Sequence, residues 1–252
     1  MLRTNPRRPW GARTDPATAA HPHSDLPLPG PSRATRTLRR VFVVVYTCFF
    51  LLDLGSLVLP AGQRHGPGMV LYVALFLLGV WAWRHELAAQ ARRIAARKRW
   101  AAGVLALGLV AEMVLSTAGG LASQWLAQVV PQGSQALTND SNIAAVLTVY
   151  PAFVIIAVLG VMGPVVEEVV FRQVLIPLIG GLTRPWVGVV VSSVLFGMLH
   201  MSSVQVSEWI GIIPHVCFGL VAGTMFVRTG NNLLFPATLH VLSNLSGIVP
   251  NA

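Results

Sequence analysis

Apolar stretches of bilayer-crossing length recur along most of this chain, separated by short polar breaks. A helix rises about 1.5 Å per residue, so roughly 20 apolar residues cover ~30 Å of hydrocarbon. On that ruler the first span covers 41–59, and Pro60, Gly62 and Gly66-Pro67-Gly68 turn the chain. A second span covers 69–83, with Trp81 and Trp83 placed as interfacial anchors. Residues 84–100 mix Ala, Leu and Arg in the manner of an amphipathic helix on the membrane surface. The third and fourth spans are 101–121 and 143–166, joined by a polar loop over 123–142 that lacks Lys and Arg. A second amphipathic piece, 174–182, precedes Thr183, which stands where an N-cap would, with Pro185 just inside the next helix. Spans at 186–201, 209–227 and 233–249 complete the series.

The pattern predicts an all-α fold: a polytopic transmembrane helix bundle of about seven spans, with one or two amphipathic cytoplasmic surface helices. It also predicts three parts: a disordered basic tail over 1–38, three spans and an external loop over 39–144, and a second transmembrane unit over 145–252. The first apolar run reads as a full span and not as a cleaved signal peptide, since no small-x-small cleavage site follows it.

Composition agrees, with 54% hydrophobic and only 11% charged residues, too few charges to coat a water-soluble globule of 252 residues. The net charge of +9 changes meaning once located. Arg3, Arg7, Arg8, Arg13, Arg33, Arg36, Arg39 and Arg40 lie before or at the first apolar run. Arg84, Arg92, Arg93, Arg97, Lys98 and Arg99 share one loop. Cationic loops held inside the cell produce this distribution, so the N-terminus is expected in the cytoplasm of a bacterial inner-membrane, multi-pass protein, with lipid head groups as partners. No nucleic-acid recognition motif accompanies the charge, and nucleic acid is not an expected partner. Cys48 and Cys217 lie in apolar runs and read as small core residues.

Polar groups interrupt the C-terminal spans: Glu167-Glu168 with Arg172, then His200, then His240 with Asn244. An ionisable group at bilayer depth is costly, about 2.5–3.5 kcal/mol for a central Asp, Lys or Arg on insertion scales. Glu168 and Arg172 are four apart and share a helix face, so they can pair. Glu167 is rotated by about 100° and is free to face another cavity as a general base. His240 and Asn244 are also four apart and project from one face. Singly, each site has a structural explanation: an ion pair, a helix-end histidine, or interhelical hydrogen bonds. The spans as drawn put Glu167 toward the inner end of its helix, which points to a site open to the cytoplasm, and His200 toward an outer end. If the two cooperate, a boundary must move. Asp53 and Glu112, in the first and third spans, and His215, in the sixth, read as polar packing or cavity-lining groups. Trp209 reads as an interfacial anchor.

The segments Glu167-Glu-Val-Val-Phe-Arg172, Phe196-Gly-Met-Leu-His200 and His240-Val-Leu-Ser-Asn244 resemble, in order and spacing, the EExxxR, FxxxH and HxxxN motifs of the CAAX-protease and bacteriocin-processing (CPBP, Abi) intramembrane proteases. Phe226-Val-Arg-Thr-Gly-Asn231 resembles the family's link into the last motif helix, and the likeness spans roughly 145–249. The resemblance implies an intramembrane endopeptidase that hydrolyses a bond in a membrane-associated peptide or protein. Glu167 and His200 would activate the attacking water, with Glu168 and Arg172 orienting the first carboxylate. His240 and Asn244 would stabilise the oxyanion, and Phe196 would pack near the substrate. The family has been described both as metal-dependent and as metal-independent. No cofactor is expected to be obligatory; zinc, if used, would fall to Glu167, His200 and His240. A non-catalytic scaffold or immunity factor of the same fold, and a proton-coupled transporter, are the other readings of the same residues. With Lys98 as the single lysine and abundant Arg, Ala and Gly, the chain suggests a GC-rich bacterial genome, where CAAX prenylation is generally lacking.

Overall fold

The computed structural model describes residues 30–60, 63–130, 146 and 149–249. The first 29 residues of the expected tail, and most of the expected external loop, lie outside them. The described residues form helices and turns with no strand among them, an all-α bundle. We number the helices α1 (Arg33–Tyr46), α2 (His65–Ala82), α3 (Arg84–Ala96), α4 (Lys98–Val129), α5 (Ala152–Leu182), α6 (Pro185–Met198), α7 (Val206–Gly211), α8 (Ile213–Arg228) and α9 (Leu234–Ile248). Three of them, α2, α4 and α5, are long and apolar enough to cross a membrane, and α6 and α8 are shorter apolar helices. Large apolar side chains face outward along the bundle, among them Val70, Leu107, Phe153 and Leu182. On a membrane protein these are the lipid-facing positions.

Several boundaries depart from the sequence pattern, each for a local reason. The expected first span 41–59 is not one helix: regular α-helix ends at Tyr46, a wide π turn covers Thr47–Leu51, and a short 3-10 turn covers Leu54–Leu57. Asp53 sits between them in left-handed backbone (φ 43°) and pairs with Arg64 at 3.0 Å, so it pins an exposed turn between two helical segments. Trp83 is buried, not interfacial: its ring meets Phe42 edge-on at 5.4 Å with the Arg39 guanidinium 4.9 Å away. The expected sixth span, 209–227, breaks at Ile212 into α7 and α8, with Pro214 in the first turn of α8. Thr183 does not cap α6. Its hydroxyl donates back to the Ile179 carbonyl at 2.7 Å and ends α5, and Arg184 takes the cap position.

The consequential difference is α5. The expected fourth span, 143–166, and the expected amphipathic piece, 174–182, are parts of one helix. Wide π turns at Ile156–Met162 and Val169–Leu175 flank a regular segment, Gly163–Glu168. Half of the apolar window of α5 is buried (50%), against 11% for α4, so α5 is the axis of the bundle and α4 its flank. It packs against α2, α6 and α9, and α8 lies between α6 and α4. Close approach here depends on missing side chains. A Cβ at Gly219 of α8 would lie 2.8 Å from the Cα of Ser193, and one at Gly188 of α6 would lie 2.6 Å from the Ile176 carbonyl oxygen. At the far end, Gln90 of α3 donates to the Asn231 carbonyl and accepts from the Leu233 N–H, holding the link into α9.

Candidate active site

Glu167 and Glu168 lie near the middle of α5, not near one end of a span as the sequence pattern suggests, so their position along the helix does not favour an opening toward the cytoplasm. The depth conflict with His200 also disappears. Glu167 precedes Leu182 by fifteen residues and His200 follows Pro185 by fifteen. At about 1.5 Å per residue, both lie roughly 22 Å from the turn that joins α5 to α6.

Polar side chains from three helices, α2, α5 and α9, meet at this level. The Arg172 Nε lies 3.0 Å from Glu168 Oε2, with both side chains fully buried. The other oxygen of Glu168 is 3.0 Å from His240 Nδ1. The far nitrogen of that ring, Nε2, is 3.9 Å from Glu167 Oε2. Glu167 in turn accepts a hydrogen bond from the Tyr72 hydroxyl of α2 at 2.9 Å. The order is therefore Arg172, Glu168, His240, Glu167, Tyr72: one cation, two carboxylates, an imidazole and a phenol in an apolar surround. The 100° rotation between successive helix residues sends Glu168 to Arg172 and Glu167 to Tyr72, while His240 stands between them. If Glu168 is ionised it can only accept, so His240 Nδ1 donates to it. In a neutral ring Nε2 then carries the lone pair, beside Glu167.

Phe196 packs the site and holds no polar partner by side chain. Its buried ring lies 5.4 Å from His240, 5.2 Å from His200, and 4.7 Å from the Arg172 guanidinium carbon. The first of those contacts is edge-on. A cation over an aromatic face is a favourable placement in a dry interior. Phe218 adds a second ring 4.7 Å from His240.

His200 stands one ring away from this chain. Its Nδ1 donates to the Phe196 carbonyl at 3.0 Å, which leaves Nε2 as an acceptor. The ring lies 4.0 Å from the ring of His215. Neither a hydrogen bond nor an ion pair joins His200 to Glu167; Phe196 lies against both His200 and His240. Asn244 follows His240 by one turn, and its amide donates to the Leu159 carbonyl at 3.1 Å, inside the first π turn of α5. Glu112 accepts a long hydrogen bond from Ser243 at 3.4 Å and belongs to the α4–α9 contact, not to this chain.

The trio Glu167, His200 and His240 does not fit a zinc ion as placed. Among the described residues no three His, Cys, Asp or Glu side chains converge as a metal site would require. One nitrogen of His240 is already engaged by Glu168, and Phe196 lies against both imidazoles.

Tyr72 is the participant that sequence reasoning missed. It lies in the second apolar stretch, 95 residues before its partner, in a region without a recognisable motif. A lone tyrosine in a span gives no periodic or spacing signal, although a buried phenol does need a hydrogen-bond partner.

Comparison with known proteins bears on this geometry. The model of the type II CAAX prenyl endopeptidase Rce1-like family matches residues 149–246. Over this segment the chain is similar to that family. The Rce1-like segment holds all the motif residues, from Glu167 to Asn244, and leaves Tyr72 outside it. The UPF0177 protein YxdF of Lactococcus lactis subsp. lactis (strain IL1403) is similar at 26% identity over 130 residues, which cover 50% of this chain and 68% of that protein. No solved structure matches.

Proposed function

We propose that the chain is an intramembrane endopeptidase that hydrolyses a peptide bond of a membrane-associated peptide or protein with a water activated at Glu167. The observation that carries this reading is the burial of two adjacent carboxylates, an arginine and an imidazole in one connected polar chain inside an apolar bundle. Such groups are costly at that depth unless they do chemistry or pair, and here one carboxylate pairs while the other is held beside a basic nitrogen.

The distances support the following division of roles. Arg172 and Glu168 fix one another, and Glu168 orients the His240 ring through Nδ1. Glu167, steadied by the Tyr72 hydroxyl, takes a proton from water as the water oxygen bonds to the carbonyl carbon of the substrate. The resulting oxyanion is stabilised by the second N–H of Asn244 and by His240, whose Nε2 borrows the water-derived proton from Glu167 and returns it before the C–N bond breaks. When the C–N bond breaks, the departing amine takes the proton held at Glu167. His200, with Nε2 unprotonated and at the depth of Glu167, accepts a hydrogen bond from the same water. Phe196 walls the pocket on the substrate side. This course uses protein groups only.

The substrate is expected to lack a prenyl group, on the genome argument above. The chain is placed in a bacterial cell membrane with the N-terminus in the cytoplasm, on the distribution of its arginines. Reconstitution in lipid and incubation with membrane peptides, followed by mass spectrometry of the products, tests the reading. Glu167→Gln and His200→Ala should each reduce turnover at least about a hundredfold, the usual scale for a lost general base. Unchanged cleavage by either variant, or proton flux without cleaved product, would remove it.

A further inference from the structure

Outside the polar chain, the bundle has an open cleft of about 440 Å³ between α1, the α2–α3 junction and the C-terminal third of α5. That volume lies within the range of small-ligand sites. Arg39, Arg40, Trp83 and Gln173 supply its polar and aromatic lining, and Val43, Val44 and Val174 its apolar lining. Nothing in the peptidase reading uses it.

Its charge is not balanced internally. Arg39 is already engaged: it donates to the Ala82 carbonyl from Nε at 3.1 Å and from Nη2 at 3.0 Å, pairs with Glu86, and lies against Trp83. Arg40, its neighbour on α1, is exposed and makes no ion pair among the described residues. At the cleft's other side, the Gln173 side-chain oxygen is buried and accepts no hydrogen bond among the described residues. A buried acceptor without a donor is uncommon, and a ligand N–H or O–H would satisfy it. The valines continue outward: Val44 is 59% exposed on a helix face that the apolar pattern assigns to lipid. One cation, one orphaned acceptor and an apolar path to the bilayer ask for an anion that bears a hydroxyl and a hydrocarbon tail.

We propose that this cleft binds one anionic phospholipid with a hydroxylated head group, of the phosphatidylglycerol type. The phosphate sits on Arg40, a head-group hydroxyl donates to Gln173 Oε1, and an acyl chain runs along Val43, Val44 and Val174. Phosphatidylcholine carries no hydrogen-bond donor and offsets its own phosphate, so the same cleft discriminates against it. The inference is independent of peptide cleavage, since its readout is lipid retention.

Native mass spectrometry of the full chain, released from detergent after exposure to phosphatidylglycerol or phosphatidylcholine of matched acyl chains, tests it. The wild type should retain a single phosphatidylglycerol in preference to phosphatidylcholine. Arg40→Gln should weaken that retention about tenfold, the lower end for a hydrogen bond to a charged group. Gln173→Leu should narrow the preference between the two lipids at unchanged melting temperature. Arg92→Gln, which removes an exposed arginine on α3, should leave retention unchanged. Four results overturn the proposal: equal retention of the two lipids by the wild type; equal losses from Arg40→Gln and Arg92→Gln, which would indicate general surface charge; displacement of the lipid by millimolar glycerol phosphate, which would indicate a soluble phosphate ligand; and an Arg40→Gln chain that keeps its lipid but loses cleavage, which would give the cleft to the substrate.

Discussion

Arg172, Glu168 and His240 form a unit in which removal of one member strands another in a dry interior. The Arg172→Met chain leaves Glu168 buried with His240 as its remaining partner, and breaking a buried pair in this way costs about 3–5 kcal/mol. Its melting temperature in detergent should fall steeply, whereas the double variant Arg172→Met with Glu168→Leu should recover much of the loss while remaining inactive. Tyr72 behaves differently, because its hydroxyl serves one oxygen of Glu167 and its ring stacks at 4.3 Å on Phe50. Tyr72→Phe keeps the ring and should lower kcat about tenfold or more, with KM and melting temperature little changed, in line with loss of a hydrogen bond to a charged acceptor. An unchanged kcat with a raised KM or a lowered melting temperature would mean that Tyr72 is a packing residue only.

The helices reach these distances because α5 is locally over-wide and because α6 and α8 lie in near backbone contact. Wide turns of the π type recur at functional sites, and the two in α5 bracket the Glu167-Glu168 pair. Gly219 faces the backbone of Ser193, which cannot move aside as a side-chain tip can. Gly219→Ala should therefore destabilise the bundle by about 1–3 kcal/mol, the range for overpacking, read as a lower melting temperature. Gly120→Ala on α4 is the contrast. No atom lies within 4 Å of the added Cβ, and alanine improves helix propensity by up to about 1 kcal/mol, so the variant should be neutral or more stable.

Across the whole molecule, the link through Gln90 ties the N-terminal helices to the segment that the Rce1-like model matches, and the proposed orientation rests on the distribution of the arginines. Single cysteines placed at Leu57 and Arg92, in a chain with Cys48 and Cys217 replaced by serine, should react with an impermeant maleimide from opposite sides of the membrane. The Arg92 position should be reached from the cytoplasm. Labelling of both from one side would contradict the positive-inside reading.

How far the chain could be read from its letters differs by kind of feature. Helix class, membrane residence and the likeness to the Rce1-like family were legible, because bilayer thickness and backbone hydrogen bonding in lipid force long apolar helices, and because three spaced motifs lie in one segment. The pairing of Glu168 with Arg172 was also legible, since helical geometry alone brings residues four apart together. Hydrophobicity could not show that 152–182 is one helix, because Glu167, Glu168 and Arg172 look like an interface when they are in fact the buried middle. Nor could it show that Tyr72 meets Glu167, that Phe196 lies between His200 and His240, or that Asp53 is a turn residue. Those are contacts between elements far apart in the chain. They depend on rotation and depth of each helix, which small residues and packing set, and only the folded bundle brings the partners into register.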